Sequence, residues 1–269
     1  MNYQTLANDA RKKVLEMIFK AGTSHIGSNF SVIDILTVLF EKADLSKDKI
    51  ILSAGWKAAA FYYFLAKKGV IPETDLDTFC QDGSPYIGLT EPTVKGIDFA
   101  GGSMGMGFPA AVGFALAKKL KEEEGTVYVI MSDGEMQCGT TWESVLIAAH
   151  HKLDNLVVIV DYNKLQAMGK MNEILNIHSL CHKLATFGWF VLNINGHDFS
   201  QIEPNVKQQI GIDLLQSGLQ SEHFYQKPWV IVADTIKGKG VSFMENNNLW
   251  HYKAPNEEEY NLALKELKC

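Results

Sequence analysis

The sequence has few prolines, no basic stripe and no long apolar segment. Only 7 of its 269 residues are proline, and no Gly/Ser tract divides the chain, so nothing indicates a flexible linker. The net charge is -6, and the absence of a Lys/Arg stripe argues against nucleic-acid binding. No apolar run approaches the ~18–20 residues of a membrane span. We therefore expect a folded protein that binds neither nucleic acid nor a membrane.

Cysteine is also scarce, and its spacing is uninformative. The cysteines lack the C-x-x-C spacing of zinc sites and redox pairs. The first residues contain no apolar segment of the signal-peptide type. Together these absences predict reduced thiols in a cytoplasmic protein. The cysteines are Cys80, Cys138, Cys181 and Cys269.

Helical and strand patterns alternate along the chain. Continuous apolar runs, typical of strands covered on both faces, occur at 49–53, 126–131, 156–160, 189–194 and 228–233. Helical periodicity occurs at 4–21, 58–68, 109–121, 142–152, 180–187 and 200–210. Ser31 is the expected N-cap of one further helix, and 210–226 is ambiguous. This alternation predicts an α/β fold with a doubly wound, mostly parallel sheet.

Polar residues follow two consecutive predicted strands. Asp133 and Gly134 follow the strand at 126–131, and Asn163 comes 30 residues after Asp133. One strand–helix–strand crossover separates them, so both lie at the carboxyl edge of the sheet, where ligands bind. Carboxylate and amide oxygens suit hard divalent cations. The same residue types are also common in turns, so the spacing alone leaves both interpretations open.

A glycine-rich segment, Gly101-Gly-Ser-Met-Gly-Met-Gly107, precedes an alanine-rich helix. Glycine allows the backbone to approach a ligand closely, and a helix N-terminus favours anions. The segment is neither a Walker loop nor G-x-G-x-x-G. A tight turn against a closely packed helix explains the glycines equally well.

Several motifs in order resemble the thiamine-diphosphate-binding part of transketolases. Ser132-Asp-Gly-Glu and Asp161-Tyr-Asn resemble the family's G-D-G motif and the Asn one crossover later. The resemblance covers nearly the whole chain and implies a single thiamine-diphosphate-binding domain over 1–269. The other matching segments begin at Lys20 (K-A-G-T-S-H-I-G-S), Ile51 (I-L-S-A-G-W-K-A-A, resembling S-x-G-H-A), Gly101, Asn195 (N-G-H-D), Thr235 (T-I-K-G-K-G) and Trp250 (W-H-Y-K-A-P).

The resemblance implies a role for individual residues. The implied ligands of Mg²⁺ or Ca²⁺ are the side chains of Asp133 and Asn163 and the main-chain carbonyl of Leu165. The implied contacts to thiamine diphosphate are Gly102, Met104, Asp133, Gly134, Asn163 and His251. The implied catalytic residues, which would exchange protons with the substrate, are His25 and His251.

The implied activity is transfer of a two-carbon ketol unit from a ketose or ketose phosphate to an aldehyde. The sequence departs from the family pattern at the substrate side. Trp56 replaces the His of S-x-G-H, and no His stands near Gly88, where the family has G-H-P. Cys138 replaces a Glu near the family's dimer interface, and Ser132 replaces the first Gly of G-D-G. These changes predict an altered donor or acceptor.

Transketolases also carry a pyrimidine-binding domain that this chain does not contain. The resemblance therefore implies the N-terminal subunit of a split transketolase, inactive without a C-terminal transketolase subunit and assembled as an α2β2 heterotetramer. One alternative is another thiamine-diphosphate acyl transferase or lyase, similar to deoxyxylulose-phosphate synthase. Another is a non-catalytic, partner-binding subunit, although a subunit without activity would have no need of the Asp133 and Asn163 pair.

Overall fold

The computed structural model describes residues 2–206 and 226–267. Its centre is a parallel five-stranded sheet, and a short two-stranded hairpin lies beside it. The strands of the sheet are β1 (Lys49–Leu52), β2 (Val127–Ser132), β3 (Leu156–Tyr162), β6 (Phe190–Asn195) and β7 (Trp229–Asp234). The hairpin consists of β4 (Leu165–Gln166) and β5 (Gly169–Lys170). The order in the sheet is β1-β2-β3-β7-β6, and every neighbouring pair is parallel.

Helices connect the strands. They are α1 (Tyr3–Ala21), α2 (Ile26–Lys42), α3 (Ala58–Lys67), α4 (Gly107–Leu120), α5 (Gly139–His150), α6 (Met171–Ile174), α7 (Leu180–Thr186), α8 (Phe199–Val206) and α9 (Glu257–Glu266). Four short 3-10 helices lie at Gly55–Lys57, Glu73–Thr78, Asp133–Gln137 and Asn248–His251 in the described chain. No helix of the described residues is long and apolar enough to cross a membrane.

Apolar side chains cover both faces of the sheet. Alternate residues of β2 point in opposite directions, so Tyr128 and Ile130 join one buried cluster and Val129 and Met131 join the other. The first cluster includes residues of α1, α2, α3, α8 and α9, and the second includes residues of α4, α5 and α7. The prediction of a doubly wound α/β sheet is therefore confirmed.

The element bounds agree with the predicted ones to within about three residues, but the predicted cap is wrong. Ser31 does not cap a helix, because α2 begins at Ile26 and Ser31 is buried inside it. The hydroxyl of Ser31 donates to the carbonyl of Ser28 at 3.0 Å and to Asp161 at 2.6 Å. Because α2 is buried over most of its length, its polar side chains serve the protein interior. The ambiguous stretch 210–226 lies almost wholly outside the described residues.

The register of the sheet brings the chemistry to one edge. Ser132 at the end of β2 is paired with Asp161 of β3, and Tyr162 is paired with Asp234 of β7. The three strands therefore end together. The loops that follow them emerge side by side, as expected for the ligand-binding edge of a parallel sheet.

Candidate active site

The turns after β2 and β3 present Asp133 and Asn163 side by side. The main-chain N–H of Gly134 donates to Asp133 Oδ1 at 2.9 Å, and that of Lys164 donates to Asp133 Oδ2. The main-chain N–H of Leu165 donates to Asn163 Oδ1 at 3.1 Å. The Lys164 contact ties the two turns together, so each oxygen-bearing side chain is held by its neighbours.

A cavity at this edge, the strand-end cavity, gathers most of the residues that the sequence predicted. Gly102 lies one residue outside its lining, and the adjacent Ser103 takes part instead. The predicted residues that line it are His25, Met104, Asp133, Gly134, Asn163, Leu165 and His251. The lining residues that were not predicted include Ser28, Trp56, Lys57, Ser132 and Tyr252.

Asp133 is completely buried beside a second carboxylate. Burial and the nearby charge of Asp161 raise the pKa of Asp133 to about 7. A buried carboxyl group with this pKa ionises fully only when a positive charge compensates for its burial. A divalent cation at this position would supply that charge.

Asp161 and Lys57 form a buried ion pair that the sequence did not indicate. Both side chains are 0% exposed. Thr235 donates to the other oxygen of Asp161, and Ser31 shares the oxygen that Lys57 contacts. Burial alone would raise the pKa of Asp161, but the ammonium group of Lys57 outweighs it and the pKa is lowered. Asp161 is therefore a fixed negative charge beneath the cavity.

Lys237 fixes the ring of His251. Its ammonium group lies 2.7 Å from His251 Nδ1 and 3.5 Å from the carbonyl oxygen of Leu165. Since an ammonium group can only donate, Nδ1 is the acceptor and the proton of the neutral ring is on Nε2. Burial and then the charge of Lys237 lower the pKa of His251 to about 3. His251 is thus neutral at physiological pH and offers an N–H.

His25 stands at the N-terminus of α2 in a left-handed backbone conformation, with φ 72°. Its main-chain N–H donates to the carbonyl of His251 at 2.8 Å, and the two rings are 4.9 Å apart. Ser24 Oγ lies 2.6 Å from His25 Nδ1. Burial, followed by the charge of Lys237, lowers the pKa of His25 to about 4. The two predicted histidines therefore form one neutral pair.

The glycine-rich segment is held by Glu135, a residue that no sequence pattern singles out. The buried carboxylate accepts from Ser53 Oγ at 2.5 Å, from the N–H of Gly105 at 3.1 Å and from the N–H of Ser132 at 3.0 Å. A Cβ on Gly101 would lie 2.3 Å from the carbonyl oxygen that ends β1. The glycines thus allow close backbone packing, and Glu135 joins three loops of the site.

The departures from the family pattern lie together. Trp56 separates the strand-end cavity from a second one, the Trp56 cavity. Gly88, where the missing His was expected, lines this second cavity. Cys138 is half-buried before α5, and burial followed by the charge of Glu135 raises its pKa. The second cavity is lined by Thr23, Ser24, His25, Asn29, Trp56, Phe79, Gly88, Leu89 and Ser103.

The Asn195-Gly-His-Asp turn supports the site from outside. His197 Nδ1 lies 2.6 Å from the buried Asp34, and His197 Nε2 accepts from the N–H of Ile236 at 2.8 Å. Arg11 donates to the same carboxylate at 2.7 Å. His197 therefore holds the segment that carries Lys237 and does not reach the strand-end cavity.

The donor atoms around the cavity fit a hard cation. They are a carboxylate, an amide oxygen and a main-chain carbonyl, which are the ligand types that Mg²⁺ and Ca²⁺ prefer. Among the described residues no three His, Cys, Asp or Glu side chains converge as a metal cluster. A single carboxylate leaves coordination positions for oxygens of a bound phosphate, and Lys237 adds positive charge nearby.

Comparison with known proteins agrees with this geometry. Residues 2–267 match the family model described as transketolase, thiamine diphosphate binding domain. The chain belongs to this transketolase family. The resemblance and the thiamine-diphosphate-binding fold implied by the sequence are thereby confirmed.

Curated relatives in the transketolase family have similar lengths. One of the two subunits of apulose-4-phosphate transketolase from Phocaeicola vulgatus is 32% identical over 96% of this chain and 90% of its own. The 6-deoxy-6-sulfo-D-fructose transketolase subunit SqwG of a Clostridium species is 36% identical over 100% of this chain and 97% of its own.

A solved transketolase has the same domain within a longer chain. The crystal structure of the Campylobacter jejuni enzyme superposes with a TM-score of 0.88 at 29% identity. The match covers 100% of this chain and 43% of that chain. The fold described above therefore corresponds to one part of a complete transketolase.

Proposed function

We propose that this protein is the diphosphate-binding subunit of a split transketolase and transfers a two-carbon ketol unit from a ketose or ketose phosphate to an aldehyde. The observation that carries the proposal is the strand-end cavity, where Asp133 and Asn163 face the neutral pair His25 and His251. Relatives of similar length are named as transketolase subunits. Those names favour ketol transfer over the acyl-transferase and non-catalytic alternatives.

The proposed cation is Mg²⁺ or Ca²⁺, held by Asp133, Asn163 and the carbonyl of Leu165. Gly102, Gly134 and Met104 are the proposed contacts to thiamine diphosphate. When bound, that cofactor supplies a nucleophilic carbon and takes up the electron pair of the broken C–C bond. The protein's own contribution is orientation, a fixed charge field and proton transfer.

His25 and His251 are the proposed proton-transfer residues. The Nε2–H of His251 is available to donate to a substrate oxygen, because Nδ1 is occupied by Lys237. Their lowered pKa values, about 4 for His25 and about 3 for His251, keep both rings neutral. Neutral rings can accept a hydroxyl proton and return it.

A partner subunit is part of the proposal. Two relatives are each named as one lettered subunit of a transketolase, which implies a second subunit for those enzymes. We propose a C-terminal transketolase subunit with the pyrimidine-binding domain, in an α2β2 heterotetramer. We also propose a cytoplasmic location, which the three free cysteines of the described chain support. The single-domain organisation over 1–269 belongs to the same proposal.

The substrate is proposed to differ from the usual pentose phosphates. Trp56 replaces an imidazole with an indole between the two cavities, and Gly88 leaves a second imidazole absent from the Trp56 cavity. Those two groups would otherwise meet substrate hydroxyls. A donor with a different hydroxyl pattern near the reacting carbonyl fits this wall better.

The test is co-expression with the partner subunit, followed by a screen of ketose donors with thiamine diphosphate and Mg²⁺. Apulose 4-phosphate, 6-deoxy-6-sulfo-D-fructose and xylulose 5-phosphate are the first donors to compare. We expect aldehyde release from a donor other than xylulose 5-phosphate, and none from this chain alone. Turnover of xylulose 5-phosphate with ribose 5-phosphate at ordinary transketolase rates would contradict the altered specificity. Ketol transfer by the isolated chain would contradict the split-enzyme proposal.

A further inference from the structure

We propose that Lys57 is a positioning residue for the cation site, acting through Asp161 on the amide of Asn163. The inference rests on the proposed function, because it assigns the residue that prepares one cation ligand. Lys57 follows Trp56 and stands where the S-x-G-H-A pattern of the family has Ala. It is therefore a feature of this chain that the family pattern does not supply.

The surroundings of Lys57 make a purely stabilising role a poor explanation. Its ammonium group is fully buried and contacts Asp161 and the carbonyl of Ser28, the latter at 3.1 Å. A buried ion pair loses much of its electrostatic gain to desolvation, and apolar residues of similar volume often replace one without loss of stability. The pair also lies at the base of the strand-end cavity, which Lys57 lines. Its place beside the ligands points to a role in the site.

Asp161 sets the orientation of the Asn163 amide. An ionised carboxylate is an acceptor only, so it favours the NH₂ side of a neighbouring amide. Asn163 Nδ2 lies 3.5 Å from Asp161 Oδ2, and Asn163 Oδ1 accepts from the N–H of Leu165 at 3.1 Å. Both neighbours therefore agree that the amide oxygen is turned away from Asp161. That orientation gives the site an oxygen ligand rather than an NH₂ group.

Lys57 also prevents Asp161 from becoming a ligand itself. Asp161 Oδ2 already accepts from Lys57 and from Ser31, and Oδ1 accepts from Thr235. With these donors in place, the carboxylate has no free lone pair aimed at the cation. Without Lys57, the oxygen nearest Asn163 would be released and would compete for the ion. Lys57 thus separates the carboxylate that orients from the carboxylate that binds, Asp133.

The experiment measures binding of Mn²⁺, as a probe for Mg²⁺, to the complex with the partner subunit. Free Mn²⁺ is counted by electron paramagnetic resonance, without turnover. We expect Lys57→Met to weaken Mn²⁺ binding about 10- to 100-fold, as is typical when a residue behind a metal ligand is lost. The matched control is Lys118→Met, which removes another buried ammonium group that donates to a carbonyl, that of Glu124 at 2.7 Å, outside the site.

A double variant separates positioning from folding. Lys57→Met with Asp161→Asn leaves no unpaired buried charge, so we expect its melting temperature to recover even if Lys57→Met alone fails to fold. Its Mn²⁺ binding should stay weak, because an amide at 161 no longer dictates the orientation of Asn163. Recovery of Mn²⁺ binding together with stability would overturn the proposal, as would equal losses in Lys57→Met and Lys118→Met. Failure of the unchanged complex to bind Mn²⁺ and thiamine diphosphate would instead refute the proposed function.

Discussion

Glu135→Gln tests whether one buried carboxylate joins the loops of the site. In the structure its two oxygens accept from Ser53 Oγ and from the N–H groups of Gly105 and Ser132. Glutamine keeps one oxygen and replaces the other with an NH₂ group. The better of its two orientations keeps the oxygen toward Ser53 and Gly105. The NH₂ group then faces the N–H of Ser132, and that buried donor is left unpaired.

The magnitude follows from this loss and from one compensation. An unpaired buried donor costs about 1–3 kcal/mol. Burial raises the pKa of Glu135, so the native carboxylate is itself disfavoured and its removal returns part of that cost. We expect the free energy of unfolding to fall by about 1–2 kcal/mol, since the lost hydrogen bond exceeds the relief. The corresponding decrease in melting temperature is roughly 3–6 °C for a domain of this size.

The assay is thermal unfolding of the purified protein, followed by circular dichroism, with amide hydrogen exchange at Gly105 as a local readout. Glu143→Gln, the same substitution at an exposed position of α5, is the matched control. We expect faster exchange at Gly105 only in Glu135→Gln. A melting temperature within about 1 °C of the unchanged protein, with unchanged exchange at Gly105, would refute the reasoning.

Three further predictions concern single residues of the site. Because the pKa of Asp133 is about 7, divalent-cation affinity should fall about tenfold per pH unit below that value, by calorimetry; in the ion-free protein this carboxyl stabilises the fold fully below its unfolded pKa and the contribution is lost as pH rises through about 7, and an Asp133→Asn variant should lose both effects. Lys237→Met should raise the pKa of His251 above about 3, toward but not to its ordinary value because burial remains, by NMR titration. Gly101→Ala should destabilise the protein, since its Cβ would lie 2.3 Å from a carbonyl oxygen, whereas Gly139→Ala meets nothing within 4 Å; equal melting temperatures would contradict this.

The sequence was most informative where local pattern and sheet geometry coincide. Asp133 and Asn163 were placed at one sheet edge because buried parallel strands can be recognised from continuous apolar runs, and because every crossover returns the chain to the same edge. The register Ser132 with Asp161 bears this out. The helices of the site edge were found for the same reason, since their apolar periodicity is set by the cores on the two faces.

The sequence was least informative about buried polar groups. Lys57 and Asp161 are 104 residues apart, and neither carries a local pattern that indicates a partner. Ser31 was assigned a cap by its residue type, which assumes an exposed helix start, whereas its helix is buried. Lys237 could be placed in a motif, but its effect on the His251 ring depends on a contact between two loops. Such pairings are decided by tertiary structure and become visible only there.

The parallel sheet leaves its other edge without catalytic duties. The turn before β2 contains Glu123, which is exposed, at the opposite end of the strand from Ser132. Six residues of extended chain place that turn about 20 Å from the cavity. A dye or surface tether attached at Glu123 would therefore report on, or immobilise, the protein without entering the space that substrate and cation require.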